Sequence, residues 1–261
     1  MAATEFHCEV KSFRMLTPTV FEICFDPKPS QPGQPEFAFE AGQFVSIVIP
    51  GAGPKGRDLR RAYSIASGPE VRPVELCVKL VEEGPGTNYL YKLRTGDIFR
   101  GFAPYGDFTF ELKAGRHACF ISTGTGLAPF RSIIQSHAYR NAPAASTLCL
   151  LGVREEDELL YMEELGADRL IQWVPAVSRP IATGNWSGFR GRVTDYLRSL
   201  GTEYPWAETE FYLCGGGAMI DETKLILAGH GVLKESIHQE IYYKTPKDVI
   251  ATPAQTAVTS G

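Results

Sequence analysis

The sequence predicts a two-domain chain of the α+β class: an amino-terminal antiparallel β-barrel followed by a doubly wound parallel α/β sheet. Three observations predict it. The first hundred or so residues are short apolar runs cut by Gly- and Pro-rich clusters, with no strong helical pattern. Beyond them, strand-like and helix-like runs alternate five times. The 261 residues suffice for two modest domains, each burying its own core. The expected division is 1–113 for the barrel, 114–245 for the α/β domain and 246–261 for a carboxyl-terminal tail.

The barrel strands follow from period-two patterning. TVFEICF sets Phe21, Ile23 and Phe25 on one face, QFVSIVI is apolar on both, and VELCVKL alternates Val74, Leu76, Val78 and Leu80 against Glu75, Cys77 and Lys79. PKPSQPGQP, PGAGPKGRD and the glycines around Gly84 and Gly101 supply the turns. After Lys113-Ala114-Gly115 the rhythm changes. HACFIST leads to PFRSIIQSHAYR, in which Phe130, Ile133, Ile134 and His137 share a helical face. TLCLLGV then precedes a stretch around EDELLYMEELG, LIQWVPAV precedes TDYLRSL, FYLCG precedes AMIDETKLILAGHG, and IHQEIYY closes the series. Such alternation builds a parallel sheet whose ligands lie at the carboxyl ends of its strands. TPKDVIATPAQTAVTSG has no periodicity and two prolines, and reads as a loose tail.

A formal net charge of -4 gives no general attraction to nucleic acid or to an anionic membrane, so neither is an expected partner. MAATEFHCEV has no basic region followed by an apolar one, and no segment is long enough to cross a bilayer. A cytoplasmic chain without membrane insertion is expected. Cys8, Cys24, Cys77, Cys119, Cys149 and Cys214 are scattered singly, with no C-x-x-C pair and no iron-sulfur spacing. All but Cys214 are expected to be buried thiols. His7, His117, His137, His230 and His238 form no ligand spacing, and no metal site is expected.

STGTGLAPF, Ser122 to Phe130, joins an apolar run to an amphipathic one and so reads as a turn from strand to helix. It begins like the dinucleotide fingerprint G-x-G-x-x-G but has Pro129 at the third glycine. Proline suits the first turn of a helix, where its missing N–H has no partner to lose. Gly124, Thr125 and Gly126 would bring the backbone close to a phosphate, and the helix end adds free N–H groups and a positive dipole. The close helix–strand contact of the third glycine is given up. In RAYSIAS, Arg61 and Tyr63 fall on one strand face, so a guanidinium and a ring can line one side of an extended ligand. Gly84, Gly86 and Thr87 precede a short apolar pattern, where the Thr87 hydroxyl can cap a helix.

RAYSIAS, the STGTGLAPF turn and YLCGGGAMI (Tyr212 to Ile220) together resemble the ferredoxin-NADP reductase family of FAD-dependent flavoproteins, in its bacterial form. The likeness runs in order from about Phe13 to Tyr243. GPGTNYL matches the family's second flavin segment, and LLGVREEDELLY matches the strand and turn after the first nucleotide helix. APYGDF matches the Gly-Pro-x-Gly-x-Phe stretch, with alanine for the first glycine. The resemblance implies a six-stranded barrel for FAD and a five-stranded sheet for NADP(H). It assigns Arg61, with Gly84, Gly86 and Thr87 opposite, to the FAD diphosphate. Tyr63 goes to the ribityl chain and ring, Ser64 to a hydrogen bond near flavin N5, and Ala62, Lys79, Leu80 and Val81 to the cofactor's flank.

Ser64, Cys214 and Glu240 are the catalytic residues the resemblance implies: Cys214 against the nicotinamide, and Glu240 beside both rings, linked through Ser64 or solvent to proton traffic. Tyr242 would stack on the isoalloxazine, although Tyr243 and the tail follow where plant-type members end, which leaves Tyr243 as a rival. Ser178 and Arg179 in VSRP, Arg190 and Arg192 in GFRGR, and Arg154 in GVREE are candidates for the 2'-phosphate of NADPH. The implied activity is that of a ferredoxin-NADP reductase, moving hydride between NADPH and flavin and single electrons to or from a separate ferredoxin or flavodoxin. Lys55, Arg57, Arg60 and Arg61 form a basic stretch suited to such an acidic partner. Two other readings stand beside it. WSGFRGRV also resembles NADH-using reductase components of oxygenases, and a non-catalytic flavin-binding subunit or sensor would keep the fold without turnover.

Overall fold

The computed structural model describes residues 3–111, 114–181 and 186–243. The expected domain boundary at residue 113 and the expected tail at 246–261 lie outside the described residues. The first sheet contains β1 (Thr4–Met15), β2 (Val20–Pro29), β3 (Phe44–Ile49), β4 (Leu59–Ser64), β5 (Val74–Lys79) and, after helix α1 (Pro85–Lys92), β6 (Ile98–Tyr105). These run antiparallel in the order β4-β3-β6-β1-β2-β5. An antiparallel bridge between Ile65 and Leu76, with the Ala66 N–H donating to the Glu75 carbonyl at 2.8 Å, brings the two edges together as a barrel.

The alternation read from the sequence points the expected side chains inward: Phe21, Ile23, Phe25, Val74, Leu76 and Val78 are buried in the barrel core. Cys77 departs from that pattern. It lies on the outer face yet is buried, because Val20 and Cys77 pack against the second domain.

The second sheet is parallel, in the order β10-β9-β8-β7-β11-β12. Its elements are β7 (His117–Thr123), α2 (Ala128–Gln135), α3 (His137–Asn141), β8 (Thr147–Val153), α4 (Met162–Gly166), β9 (Gln172–Val177), β10 (Phe189–Arg190), α5 (Val193–Ser199), β11 (Thr209–Gly216), α6 (Gly217–Gly229) and β12 (Ile237–Tyr243). The five strands expected from the alternation are joined by β10, whose two residues are too short to carry a period-two signal. Both faces of the sheet are covered. Phe120, Cys149, Leu151 and Tyr212 meet α2, α3 and α4 on one side, while Cys119, Ile121, Leu148 and Leu213 meet α5 and α6 on the other. The barrel docks on the α2 side, where Val20, Ala66, Cys77 and Phe108 join the same apolar cluster.

His137 does not share the buried face expected of it. The helix stops at Ser136, which takes an extended conformation, and its hydroxyl accepts from the Tyr139 N–H to start α3 afresh. Phe130, Ile133 and Ile134 are buried as expected, but Tyr139 fills the next core position and His137 faces solvent. No helix among the described residues is long and apolar enough to cross a membrane.

Phe120 is central to the packing, its ring stacked on Phe130 at 4.9 Å and edge-on to Tyr212 at 5.5 Å. Phe120→Ala is expected to destabilise the chain by roughly 3–5 kcal/mol. Urea unfolding followed by fluorescence and by far-ultraviolet dichroism checks this, and a midpoint equal to the parent's would contradict it.

Candidate functional site

The order of the parallel sheet reverses between β7 and β11, and the carboxyl ends of both strands carry glycine-rich turns there. After β7, Gly124 to Leu127 form one 3₁₀ turn, and Pro129 follows in the first turn of α2, as its missing donor requires. Gly126 has a different use from the one expected. A Cβ on it would lie 2.3 Å from the Cys214 carbonyl oxygen, so its bare Cα lets the turn press against β11. The close glycine contact thought lost at Pro129 is thus made by Gly126.

A crevice of about 520 Å³ opens at this point. Gly124, Thr125, Arg154 and Ser178 line it as expected, and Arg192 does so from the start of α5. Arg179 faces an adjoining hollow that it shares with Arg154. Arg190 is turned away, its guanidinium donating to the Trp186 carbonyl at 2.9 Å. Sequence reasoning missed Thr19, Thr194, Met219 and Glu222, which also line the crevice. Met219 lies within the YLCGGGAMI stretch without having been singled out there, and Thr19, Thr194 and Glu222 lie in runs read only as strand or helix and reach the crevice through the placement of neighbouring elements.

A second hollow, of about 450 Å³, follows β4 along the barrel. Arg61, Ala62, Tyr63 and Ser64 line one side, and Lys79, Val81, Gly84, Gly86 and Thr87 the other. Phe44 adds a wall that the sequence did not suggest. Leu80 is not part of it and packs on the barrel core instead. Gly86 has no room for a side chain: a Cβ there would stand 2.4 Å from Tyr63 Oη and 3.0 Å from Arg61 Cγ. The amino end of α1 therefore closes onto the strand face that carries Arg61 and Tyr63. Thr87 does not cap the helix; its hydroxyl accepts from the Val81 N–H at 3.2 Å and lies 3.2 Å from the Gly84 carbonyl, which shapes the turn.

These features fit an extended dinucleotide. Arg61 forms no ion pair among the described residues and donates only to the neighbouring Arg60 carbonyl, leaving its fork available to a diphosphate lying against the first turn of α1. The crevice fits a second anionic ligand, since Arg154, Arg192 and Ser178 all line it, the Ser178 hydroxyl donating to the Val153 carbonyl at 3.2 Å.

The two hollows meet. Lys79, Thr125 and Tyr242 line both. Here the Tyr242 hydroxyl donates to Ser64 Oγ at 2.6 Å, and Ser64 Oγ donates to Glu240 Oε2 at 3.0 Å. Tyr242 belongs to the second sheet and Ser64 to the first, so the chain of hydrogen bonds spans the domains. Cys214 sits opposite Glu240 in the strand register, fully buried, with its thiol against the Tyr242 hydroxyl. Cys214, the one thiol not expected to be simply buried, is therefore buried like the other five and lines neither hollow, so it does not take the place against a nicotinamide that the resemblance implies. Burial pushes the Cys214 thiol and the Tyr242 phenol well above their ordinary values, so both stay protonated near neutrality. Burial also raises the Glu240 carboxyl, with the Ser64 hydrogen bond pulling the other way.

Two family models match the chain: an oxidoreductase FAD-binding domain over residues 29–110 and an oxidoreductase NAD-binding domain over 120–224. The chain is 34% identical over 251 residues to a ferredoxin–NADP reductase B of Sorangium cellulosum (strain So ce56), covering 92% of this chain and 98% of that one. It is 32% identical over 211 residues to the reductase component of a phenol 2-monooxygenase of Pseudomonas sp. (strain CF600), covering 78% of this chain but only 58% of the relative. A ferredoxin NADP+ reductase from Neisseria gonorrhoeae, solved with bound FAD and NADP, superposes with a TM-score of 0.75 at 24% identity, covering 92% of this chain and 99% of that one.

The raised Glu240 carboxyl means that the folded chain keeps a proton that the unfolded chain has already released. Stability should therefore fall as pH rises from the ordinary carboxylate value through the raised one. Glu240→Gln, which cannot titrate, is expected to flatten that slope and to gain relative stability above it. Urea midpoints from about pH 4 to about pH 8 test this, and parallel slopes for parent and variant would refute it.

Proposed function

The chain belongs to the ferredoxin-NADP reductase family of flavin oxidoreductases, and from that premise we propose that it passes hydride between NADPH and a bound FAD and exchanges single electrons with a separate ferredoxin or flavodoxin. The observation that carries this reading is the meeting of the two hollows at Lys79, Thr125 and Tyr242, where the ring ends of two extended ligands would face each other. FAD, when bound, supplies the hydride acceptor and the change from two-electron to one-electron transfer.

The protein's own residues bind, orient and shield. The Arg61 fork and the first turn of α1 would hold the diphosphate, and Tyr63, on the same strand face as Arg61, would flank the ribityl chain. Ser64 presents its Oγ at the junction, fixed between a donor on Tyr242 and an acceptor on Glu240. Glu240, with its carboxyl raised, can hold or release a proton through Ser64 Oγ. Cys214 stays a thiol and lies behind Tyr242, outside both hollows, so its contribution is to pack against that ring rather than to attack a ligand. Tyr242 stands over that thiol and closes the junction against solvent.

Arg154, Ser178 and Arg192 supply the cations and hydroxyl that a 2'-phosphate needs, with Arg179 at the rim. A second reading, an NADH-dependent reductase component of an oxygenase, is favoured by Glu158 and Glu222, which line the same crevice, and by the likeness to the phenol 2-monooxygenase component. Both acids already have partners. Glu158 accepts from the Arg154 backbone N–H at 2.8 Å, and Glu222 accepts from Arg198 at 2.7 Å while standing 4.0 Å from Arg192; the Arg154 guanidinium forms no ion pair among the described residues, and Arg192 shares its acid with Arg198.

NADPH is expected to exceed NADH in kcat/KM. Arg192→Ala should lower the NADPH value about 10- to 100-fold while leaving the NADH value little changed. Steady-state kinetics with both nicotinamides decide this, and a parent that prefers NADH would transfer the chain to the second reading.

Lys55 and Arg57 are exposed ahead of β4, and Arg60 is held over the Phe102 ring at 4.1 Å with its charge still open to solvent. Turnover with an acidic ferredoxin should therefore slow as salt is raised. Arg57→Glu should raise the KM for ferredoxin several-fold at about 0.05 M salt, without changing the rate at which NADPH reduces the flavin. Salt-independent turnover would rule out a basic docking face.

A further inference from the structure

A polar cluster that lines neither hollow ties the two sheets together. Arg131, on α2, is 5% exposed. Its Nη1 donates to the Ala66 carbonyl at 3.0 Å and to the Glu75 carboxylate, both on the barrel side, and its Nε donates to Glu164 at 2.9 Å. The guanidinium lies over the Tyr161 ring, 4.2 Å from its centre. Tyr161 in turn donates from its hydroxyl to Glu22 Oε2 at 3.0 Å, and Glu22, 3% exposed on β2, accepts from Arg14 at 2.6 Å. Tyr161 has φ 51, a left-handed conformation that an L residue with a large side chain keeps only where its surroundings hold it.

The same helix grips the barrel twice more. Ser132 Oγ donates to the Ser67 carbonyl at 2.7 Å, and Gln135 Oε1 accepts from the Gly68 N–H at 2.9 Å. α2 therefore holds Ala66, Ser67 and Gly68, the residues that follow closely on Ser64. At its other end α2 grows out of the Thr125–Gly126 turn, which lines both hollows and abuts Cys214. One rigid element thus connects the nucleotide turn to the flavin strand. Apolar contact would hold the domains together but would let them slide; directional bonds from a buried guanidinium and phenol set one offset.

We propose that Arg131 and Tyr161 are positioning residues that fix the offset between the flavin groove and the nicotinamide crevice, acting through residues 66–68 on Ser64. This rests on the hydride-transfer reading, because a small error in the approach of two reacting atoms lowers the rate steeply while leaving binding of the distant diphosphates intact.

The test uses the FAD-loaded chain and the variants Tyr161→Phe, Glu22→Gln, their double, and Arg131→Lys, which keeps the charge but not the fork. Anaerobic stopped-flow mixing with NADPH and with NADH gives the limiting rate of flavin reduction, the half-saturating concentration and the long-wavelength absorbance of the flavin–nicotinamide pair. Tyr161→Phe should lower the limiting rate about 10-fold and weaken that absorbance, at unchanged FAD content and half-saturation. The double variant should be no slower than the slower single, as for two partners in one contact. Amide hydrogen exchange in the same proteins without nicotinamide should show faster exchange at residues 66–68 in Tyr161→Phe and Arg131→Lys. A limiting rate within about twofold of the parent, or a loss of rate that only follows loss of FAD, overturns the proposal. If neither nicotinamide reduces the parent, the hydride-transfer reading fails on its own. Unchanged exchange at residues 66–68 would then overturn the positioning role, and accelerated exchange would uphold the mechanical link.

Discussion

The site depends on a contact that excludes one methyl group. At Gly126 the turn after β7 lies so close to the Cys214 carbonyl that any side chain would collide with it. That contact draws the carboxyl ends of the two central strands together where the sheet order reverses, and so puts Thr125, Cys214 and Glu240 within one neighbourhood. Gly86 does the same for the barrel, closing α1 over Arg61 and Tyr63. Each half of the molecule is built around a place where backbone must approach backbone or strand side chain, and Gly86 and Thr125, the neighbour of Gly126, line the same hollow.

Electrostatics then sort the polar groups at the junction. Tyr242, Ser64 and Glu240 form a line in which each hydroxyl has both a role as donor and a neighbour to receive it, so burial leaves no group in the line unsatisfied. Burial favours the protonated forms of the thiol, phenol and carboxyl together. The buried charged side chains among the described residues lie elsewhere, each with several partners: Arg131 and Glu22 at the domain interface, and Glu210 on β11 beside Arg116 and His238.

Much of this was legible in the sequence, for reasons that can be traced residue by residue. Val74, Leu76 and Val78 alternate because one side of their strand faces the barrel interior, and period two is visible locally. Tight turns announce themselves through glycine and proline, which is how the walls of both hollows were located from Arg61, Gly86 and Thr125. What escaped notice was non-local. Cys77 is buried, as a lone thiol was expected to be, but by a domain that contacts the outer face of its strand and that no local pattern announces, and His137 lost its helical face to a break that only the Ser136 cap reveals. Arg190 and Arg192 are indistinguishable as letters in GFRGR, yet the two-residue strand directs one toward Trp186 and leaves the other at the head of α5, inside the crevice. Leu80 keeps the inward face that the alternation gives it, and it is the place beside the cofactor implied by the resemblance that it does not take.

Among the described residues, the strand that carries Glu240 and Tyr242 is the last of its sheet, bonded to β11 along one flank. A ring on such a margin has one ladder behind it and takes its second anchor from the opposite domain, through the Ser64 hydroxyl. The partition between the hollows is thus fastened to both halves of the molecule, so a shift of one half against the other would be felt first at that ring.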